Sequence, residues 1–349
     1  MQTELMRPDD LGIFMAADLL RSGGLVAFPT ETVYGLGADV YNESAVAAIF
    51  DAKGRPVDNP LIAHVLNISG ARECGEWTPL AQILASAFWP GPLTLIVQRK
   101  QHVPRIVSAG LSTIAMRAPS HPVARALIAA CGFPIAAPSA NRSGRPSPTT
   151  AAHVMDDLAG RIPLILDGGP CEVGLESTVV DATGMCPMVL RPGAITPQML
   201  ATVAGECQVA DSVMRQLEEG EYAPSPGMRH KHYAPTARLT LVEGEDEDVK
   251  RVLMTLAKGQ RDTWVLALDQ ELSHTEGLRF KSLGKDAGEA AHRLFYLLRQ
   301  ADEEGVERIF VKALSPEGVG LAVMNRLARA SGFDIIHATE AYKESEGRI

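Results

Sequence analysis

A chain of 349 residues, 46% hydrophobic and 21% charged, has the material for a large core and the length for two domains. Its net charge of −9 argues against a protein that coats nucleic acid, and five cysteines without a CxxC pair argue against a disulfide framework or a structural zinc site. No apolar run approaches the roughly 20 residues that cross a bilayer, and the polar start MQTELMRPDD is neither a secretory signal nor a transit peptide, so a cytoplasmic protein without membrane contact is expected.

Short apolar runs alternate with longer amphipathic stretches along the first half of the chain. Strands are expected at 25–28, 61–66, 93–98, 113–116, 134–137, 164–166, 178–180 and 188–190. Helices are expected at 10–21, 43–52, 79–88, 121–131 and 149–158, with Asn42 or Glu43 and the 147–150 segment supplying N-caps. The pattern breaks at 218–238, EEGEYAPSPGMRHKHYAPTAR, where Pro224, Pro226 and Pro235 interrupt any apolar period. A second alternating series follows: strand 239–242, helix 249–256, strand 264–267, helix 287–299, strand 309–311, helix 319–330 and strand 335–337. The expected organisation is an α/β domain over 1–205, a linker over 206–237, and a smaller α/β domain with a parallel sheet over 238–349.

Acidic residues are unevenly spread. The 79 residues between Glu76 and Asp156 contain no Asp or Glu, where even spacing would place about nine. The same stretch holds Arg99, Lys100, Arg105, Arg117, Arg125, Arg142 and Arg145. Such a bias suits a wall built around anions, although a buried segment with few charges of any kind is the alternative.

Five segments crowd polar residues and glycines into turns beside strands, where α/β proteins bind ligands. PTETVYGLG (29–37) follows the first of the expected strands; it is neither GxGxxG nor a P-loop, and reads as a ligand-gripping turn or a purely structural one. KGRPVDNPL (53–61) sets Lys53 and Arg55 in a loop suited to a polyphosphate, though cations also favour a helix C-terminus. His64, just beyond, is either a ligand contact or a core histidine. MRAPSHP (116–122) ends a strand on Arg117, whose guanidinium fork suits a carboxylate. APSANRSGRPSPT (137–149) gathers Ser139, Asn141, Ser143 and Ser147 with Arg142 and Arg145 ahead of a helix, a ready anion site. LESTVVD (175–181) and VLRPGAI (189–195) bring Glu176, Ser177, Thr178 and Arg191 to strand ends. Nothing in the sequence has the spacing of a nucleophile triad or a tightly held metal, and Asp167 and Asp181 read as turn caps.

In this order, PTETVYGLG, KGRP with NPL, MRAPSHP, APSANRSG, LESTVVD and LRPG resemble the threonylcarbamoyl-AMP synthase family, whose catalytic unit is the YrdC-like domain. The resemblance extends to the SPGMRHKHYAP segment (225–235) and a C-terminal α/β domain, as in two-domain members. It implies a twisted, mostly mixed sheet with flanking helices, followed by a smaller Rossmann-like domain. It also implies a nucleotidyl transfer in which L-threonine, bicarbonate and ATP give threonylcarbamoyl-AMP and pyrophosphate. The product would pass through separate transfer proteins to a tRNA adenosine, with direct RNA contact possible.

By the same resemblance Lys53, Arg55, Ser139 and Asn141 would handle the phosphates, with Asn59, Thr113, Ser147, Arg191 and Tyr233 around ATP. Thr32, His64, Arg117, Ala137 through its backbone, and Ser177 would hold threonine. Mg²⁺ would come with the ATP phosphates, without a protein cage. The stiff segment 224–235 is expected to fold over the site, with His232 and Tyr233 as its contacts. The alternatives are a carbamoyltransferase-type relative, which would add CxxC zinc fingers, and a regulatory module that binds nucleotide or double-stranded RNA.

Overall fold

The computed structural model describes residues 1–215, 233–272 and 277–338. They form two compact units. One contains Met1–Ser143 and Ser147–Val213; the other draws on Gly144–Pro146 and the described part of Lys231–Ile349.

The first unit is built on a mixed sheet of twelve strands among the described residues. Its centre runs, neighbour to neighbour, through Val26–Phe28, Gly35–Asp39, Ile135–Ala137, Ile62–His64, Thr113–Arg117, Leu93–Arg99, Thr178–Asp181 and Met188–Arg191. Within it, Ile62–His64 pairs in parallel with Thr113–Arg117, which pairs antiparallel with Leu93–Arg99.

Strand alternation sorts the two faces. Ile114 and Met116 enter the main core with Ala63, Leu95 and Val97. Thr113, Ala115 and Arg117 therefore belong to the opposite face, where register sets Ile62 beside Ala115 and His64 beside Arg117. A small apolar cluster of Ile62, Ile96, Ala115, Val179 and Leu190 occupies that face. Thr113 and Arg117 share the face this cluster occupies.

Helix boundaries follow local capping chemistry. Asp9 caps Asp10–Arg21, Asn42 caps Glu43–Lys53, and Thr150 caps Ala151–Leu158, each side chain accepting an N–H of the first turn. Thr78 and His121 cap Pro79–Phe88 and Pro122–Cys131, each with proline in the first turn.

Four departures from the sequence-based expectation have physical causes. Residues 29–37 are not all turn, because Gly35–Asp39 is a strand whose glycines carry no side chain to register as alternation. At Gly37 a Cβ would come within 2.7 Å of Ile135 Cγ2, so only glycine fits this crossing of strands. The helices Ile68–Cys74 and Pro197–Ala204 were too short to show a period. Finally, the first unit runs past residue 205: Gln208–Val209 pairs in parallel with the strand Met188–Arg191, and Asp211–Val213 forms a 3₁₀ turn.

Among the described residues the second unit contains a five-stranded, all-parallel sheet in the order Phe280–Ser282, Thr263–Ala267, Arg308–Lys312, Arg238–Glu243 and Ile335–His337. The intervening helices Asp246–Ala257, Ala287–Glu303 and Gly320–Ser331 make the crossovers that parallel pairing requires. The strand–helix series read from the sequence supplies four of these strands; Phe280–Ser282, three residues long at the sheet edge, was not among them. Among the described residues no helix is long and apolar enough to cross a membrane.

Candidate active site

Arg117, last residue of its strand, is 3% exposed and makes three contacts with three different nitrogens. Nη1 donates to Thr32 Oγ1 at 2.8 Å, Nε donates to the Gly91 carbonyl at 3.3 Å, and Nη2 stands 2.7 Å from Glu31 Oε1. Burial works to raise the pKa of Glu31, but the adjacent positive charge of Arg117 outweighs it and holds the carboxyl below its ordinary range. Thr32 is itself fixed by Thr30, whose hydroxyl lies 2.9 Å from its own.

His64 packs edge-on against Phe28 with ring centroids 6.0 Å apart, and its Nδ1 lies 3.2 Å from the Ile62 carbonyl. Burial first, and then the positive charge of Arg117, push its pKa down to about 3. The imidazole is thus neutral at physiological pH, a hydrogen-bonding group rather than a cation.

Lys53 closes the helix Glu43–Lys53, which Gly54 terminates in the left-handed conformation at φ 62°. Its ammonium is buried and donates to the backbone carbonyls of Ser139, at 2.6 Å, and of Asn141. The N–H of Ser143 returns a bond to the Lys53 carbonyl. The lysine therefore braces the 138–143 loop from inside. Ser139 Oγ bonds Asn141 Oδ1, and Asn141 Nδ2 donates to the Arg142 carbonyl. Arg55 bonds the carbonyls of Asn59 and Pro60, curling its own loop.

The strand Gly35–Asp39 and the residues before it tie these two groups together. Leu36 N–H bonds the Pro138 carbonyl, Ala140 N–H bonds the Tyr34 carbonyl, and Tyr34 N–H bonds the Pro148 carbonyl. Thr32 and Ser139 thus sit on directly bonded pieces of backbone.

Ser177 anchors a third group. Its hydroxyl is 2.7 Å from that of Thr94, and Arg191 bonds both its carbonyl, through Nε at 3.1 Å, and its hydroxyl, through Nη2 at 3.2 Å. Next to it, Ser147 donates to Glu176 Oε1.

The 79 acid-free residues are accordingly not acid-free in space. Glu31 meets Arg117, Glu176 meets Ser147, and Asp157 accepts from the N–H of Arg142 at 3.3 Å. Glu31 is the residue the sequence reading passed over, although it lies inside PTETVYGLG next to Thr32.

Thr113 opens the strand that Arg117 ends, on the same face and about 13 Å away at some 3.3 Å per residue. Asn59 is buried in the Arg55 loop, and Ala137 ends the strand next to Ile62. Tyr233 belongs to the second unit: it is 6% exposed, at φ 64°, with its ring 5.3 Å from that of Phe295 and beneath Arg326. His232 and most of the segment read as a cover lie outside the described residues.

Fold and site together define a two-unit α/β protein in which buried arginine, lysine, serine and threonine side chains gather at the strand ends of a mixed sheet. Two family models match in succession: one described as telomere recombination (Sua5, YciO and YrdC) over residues 18–193, and one described as threonylcarbamoyl-AMP synthase, C-terminal domain, over 195–332. The threonylcarbamoyl-AMP synthase of Pyrococcus abyssi is 44% identical over 332 residues, covering 95% of this chain and 97% of the relative. That of Bacillus subtilis is 45% identical over 339 residues, 96% of this chain and 97% of the relative. The crystal structure of P. abyssi Sua5 complexed with L-threonine superposes with a TM-score of 0.88 at 42% identity, covering 96% of this chain and 98% of that one. The chain belongs to the threonylcarbamoyl-AMP synthase family.

Proposed function

We infer that this chain makes threonylcarbamoyl-AMP, the product for which its full-length relatives are named. It is a nucleotidyl-transferring enzyme of the tRNA-modification machinery. The observation that carries the residue-level reading is Arg117, buried at a strand end with more N–H donors than Thr32, Glu31 and Gly91 take up.

In this reading the amine of L-threonine and bicarbonate condense to a carbamate with loss of water. A carbamate oxygen attacks the α-phosphorus of ATP, the bond to the bridging oxygen breaks, and pyrophosphate leaves. Such a transfer needs positioning and charge neutralisation more than a protein nucleophile. Arg117 holds the threonine carboxylate, with Thr32, neutral His64, Ser177 and the Ala137 backbone around the rest of the amino acid. Arg55, Ser139, Asn141 and Arg191 face the phosphates, and Lys53 keeps the 138–143 loop in the shape that presents them. Asn59, Thr113 and Ser147 complete the nucleotide end, and the apolar cluster of Ile62, Ala115 and Val179 offers it a floor.

Among the described residues no three His, Cys, Asp or Glu side chains are grouped as a metal site. A cationic loop fits an ion delivered on the triphosphate, and Mg²⁺ bound there would neutralise charge on the departing pyrophosphate. The product is a labile mixed anhydride, so we place the enzyme in the cytoplasm with the transfer proteins that consume it and the tRNA they modify.

Pyrophosphate release tests the reading. It should require threonine and bicarbonate together with ATP. Release at the same rate from ATP alone would overturn it.

A further inference from the structure

Glu31 takes no part in the reading above, yet it is as deeply buried as Arg117, each 3% exposed. The N–H groups of Glu31 and Ser120 favour its ionised form, but neither carboxylate oxygen has a donor in full hydrogen-bonding geometry. Leaving a buried polar group short of partners costs about 1–3 kcal/mol, and more when it is charged. The contact with Arg117 offsets part of this cost at Oε1, and Oε2 has no donor in full hydrogen-bonding geometry.

An α-amino acid carries a carboxylate and an ammonium on one carbon. A site that reads both by charge presents a cation and an anion side by side. Arg117 and Glu31 are such a pair, 2.7 Å apart, with Thr32 Oγ1 fixed on the same guanidinium. Neutral His64 adds no competing charge next to them. An ammonium brings three donors, which is what an under-satisfied carboxylate lacks.

We propose that Glu31 receives the ammonium of threonine, so that Glu31 and Arg117 together read the zwitterion. The inference rests on Arg117 holding the carboxylate. It gives Glu31 a role beyond orienting Arg117: it selects amino acids over the corresponding hydroxy acids. A residue that only oriented the guanidinium would matter equally for every carboxylate ligand.

Calorimetric titration of the full chain with L-threonine and with 3-hydroxybutyrate, its deaminated counterpart, separates these roles. Glu31→Gln should weaken L-threonine by roughly tenfold or more and leave 3-hydroxybutyrate unchanged or tighter. Equal losses for both ligands would overturn the proposal. Arg117→Lys, run in parallel, should weaken both; if it weakens neither, the carboxylate reading falls and takes this inference with it. Should Glu31→Gln not fold, the wild-type chain decides. Binding of 3-hydroxybutyrate about tenfold or more below that of L-threonine supports the ammonium contact, and equal binding contradicts it.

Discussion

Arg117 meets Thr32, Glu31 and Gly91 with separate nitrogens of one planar group, and a lysine ammonium has neither that plane nor that reach. Arg117→Lys should therefore raise the KM for threonine by about tenfold or more while changing that for ATP little; equal rises would detach the residue from threonine. Lys53 and Arg55 separate in the structure despite being two apart in sequence. Arg55 is half-buried and bonds the Asn59 and Pro60 carbonyls of its own loop, so Arg55→Ala should lower turnover more than about a hundredfold, or ~3 kcal/mol, with the melting temperature preserved. Lys53→Ala strips a buried donor from two carbonyls and should cost both turnover and about 1–3 kcal/mol of stability. Pyrophosphate release and chemical denaturation measure the two effects side by side. His64 carries a pH signature. Its folded pKa near 3 lies below the ordinary value of 6.5, so the unfolded chain binds the proton more readily and stability is lost as pH falls from about 6.5 toward 3. Between pH 7 and 5 the wild type should lose about 2 kcal/mol that His64→Gln does not. Matching losses in both would mean that His64 is protonated in the fold.

Among the elements, the longer ones with a side-chain period were visible in the sequence, whereas the short helices Ile68–Cys74 and Pro197–Ala204, although capped, and the glycine-built strand Gly35–Asp39 were not. Asp10–Arg21 has Asp9 before it and an apolar stripe along it, and Pro79–Phe88 has Thr78 and a proline; both follow from local chemistry. Gly35–Asp39 has neither signal, and only the sheet assigns it a strand. The site divides in the same way. The motifs single out candidate residues because polar groups beside strands are informative by type. Their pairings were invisible, since Glu31 with Arg117 and Lys53 with Ser139 are separated by 86 positions in each case. Such contacts depend on register, which no local window contains. Gly193 shows how closely that register is set, for a Cβ there would lie 2.4 Å from Thr178 N and 2.9 Å from the Glu176 carbonyl. Backbone cannot give way as a flexible side chain does. Gly193→Ala should destabilise the chain by about 1–3 kcal/mol and loosen Arg191 from Ser177. A wild-type denaturation midpoint would show that the turn accommodates the methyl.

At the scale of the molecule, the even alternation of strand and helix announced two α/β units, and the Pro-rich stretch marked where the pattern changes. The acid-free stretch was read correctly as a bias and too simply as a wall. Folding returns carboxylates to it from both sides, each set against a specific partner, so the cationic character lies in particular arginines and one lysine. Relatives aligned over nearly the whole length carry the name of one activity, and the central claim is that this chain joins threonine, bicarbonate and ATP in one product. Mass spectrometry of the reaction run with ¹³C-bicarbonate tests it most directly. The expected species is threonylcarbamoyl-AMP carrying the label in its carbamoyl carbon and appearing only when threonine is present. ATP cleavage with no labelled adenylate, while the product is protected from hydrolysis, would contradict it.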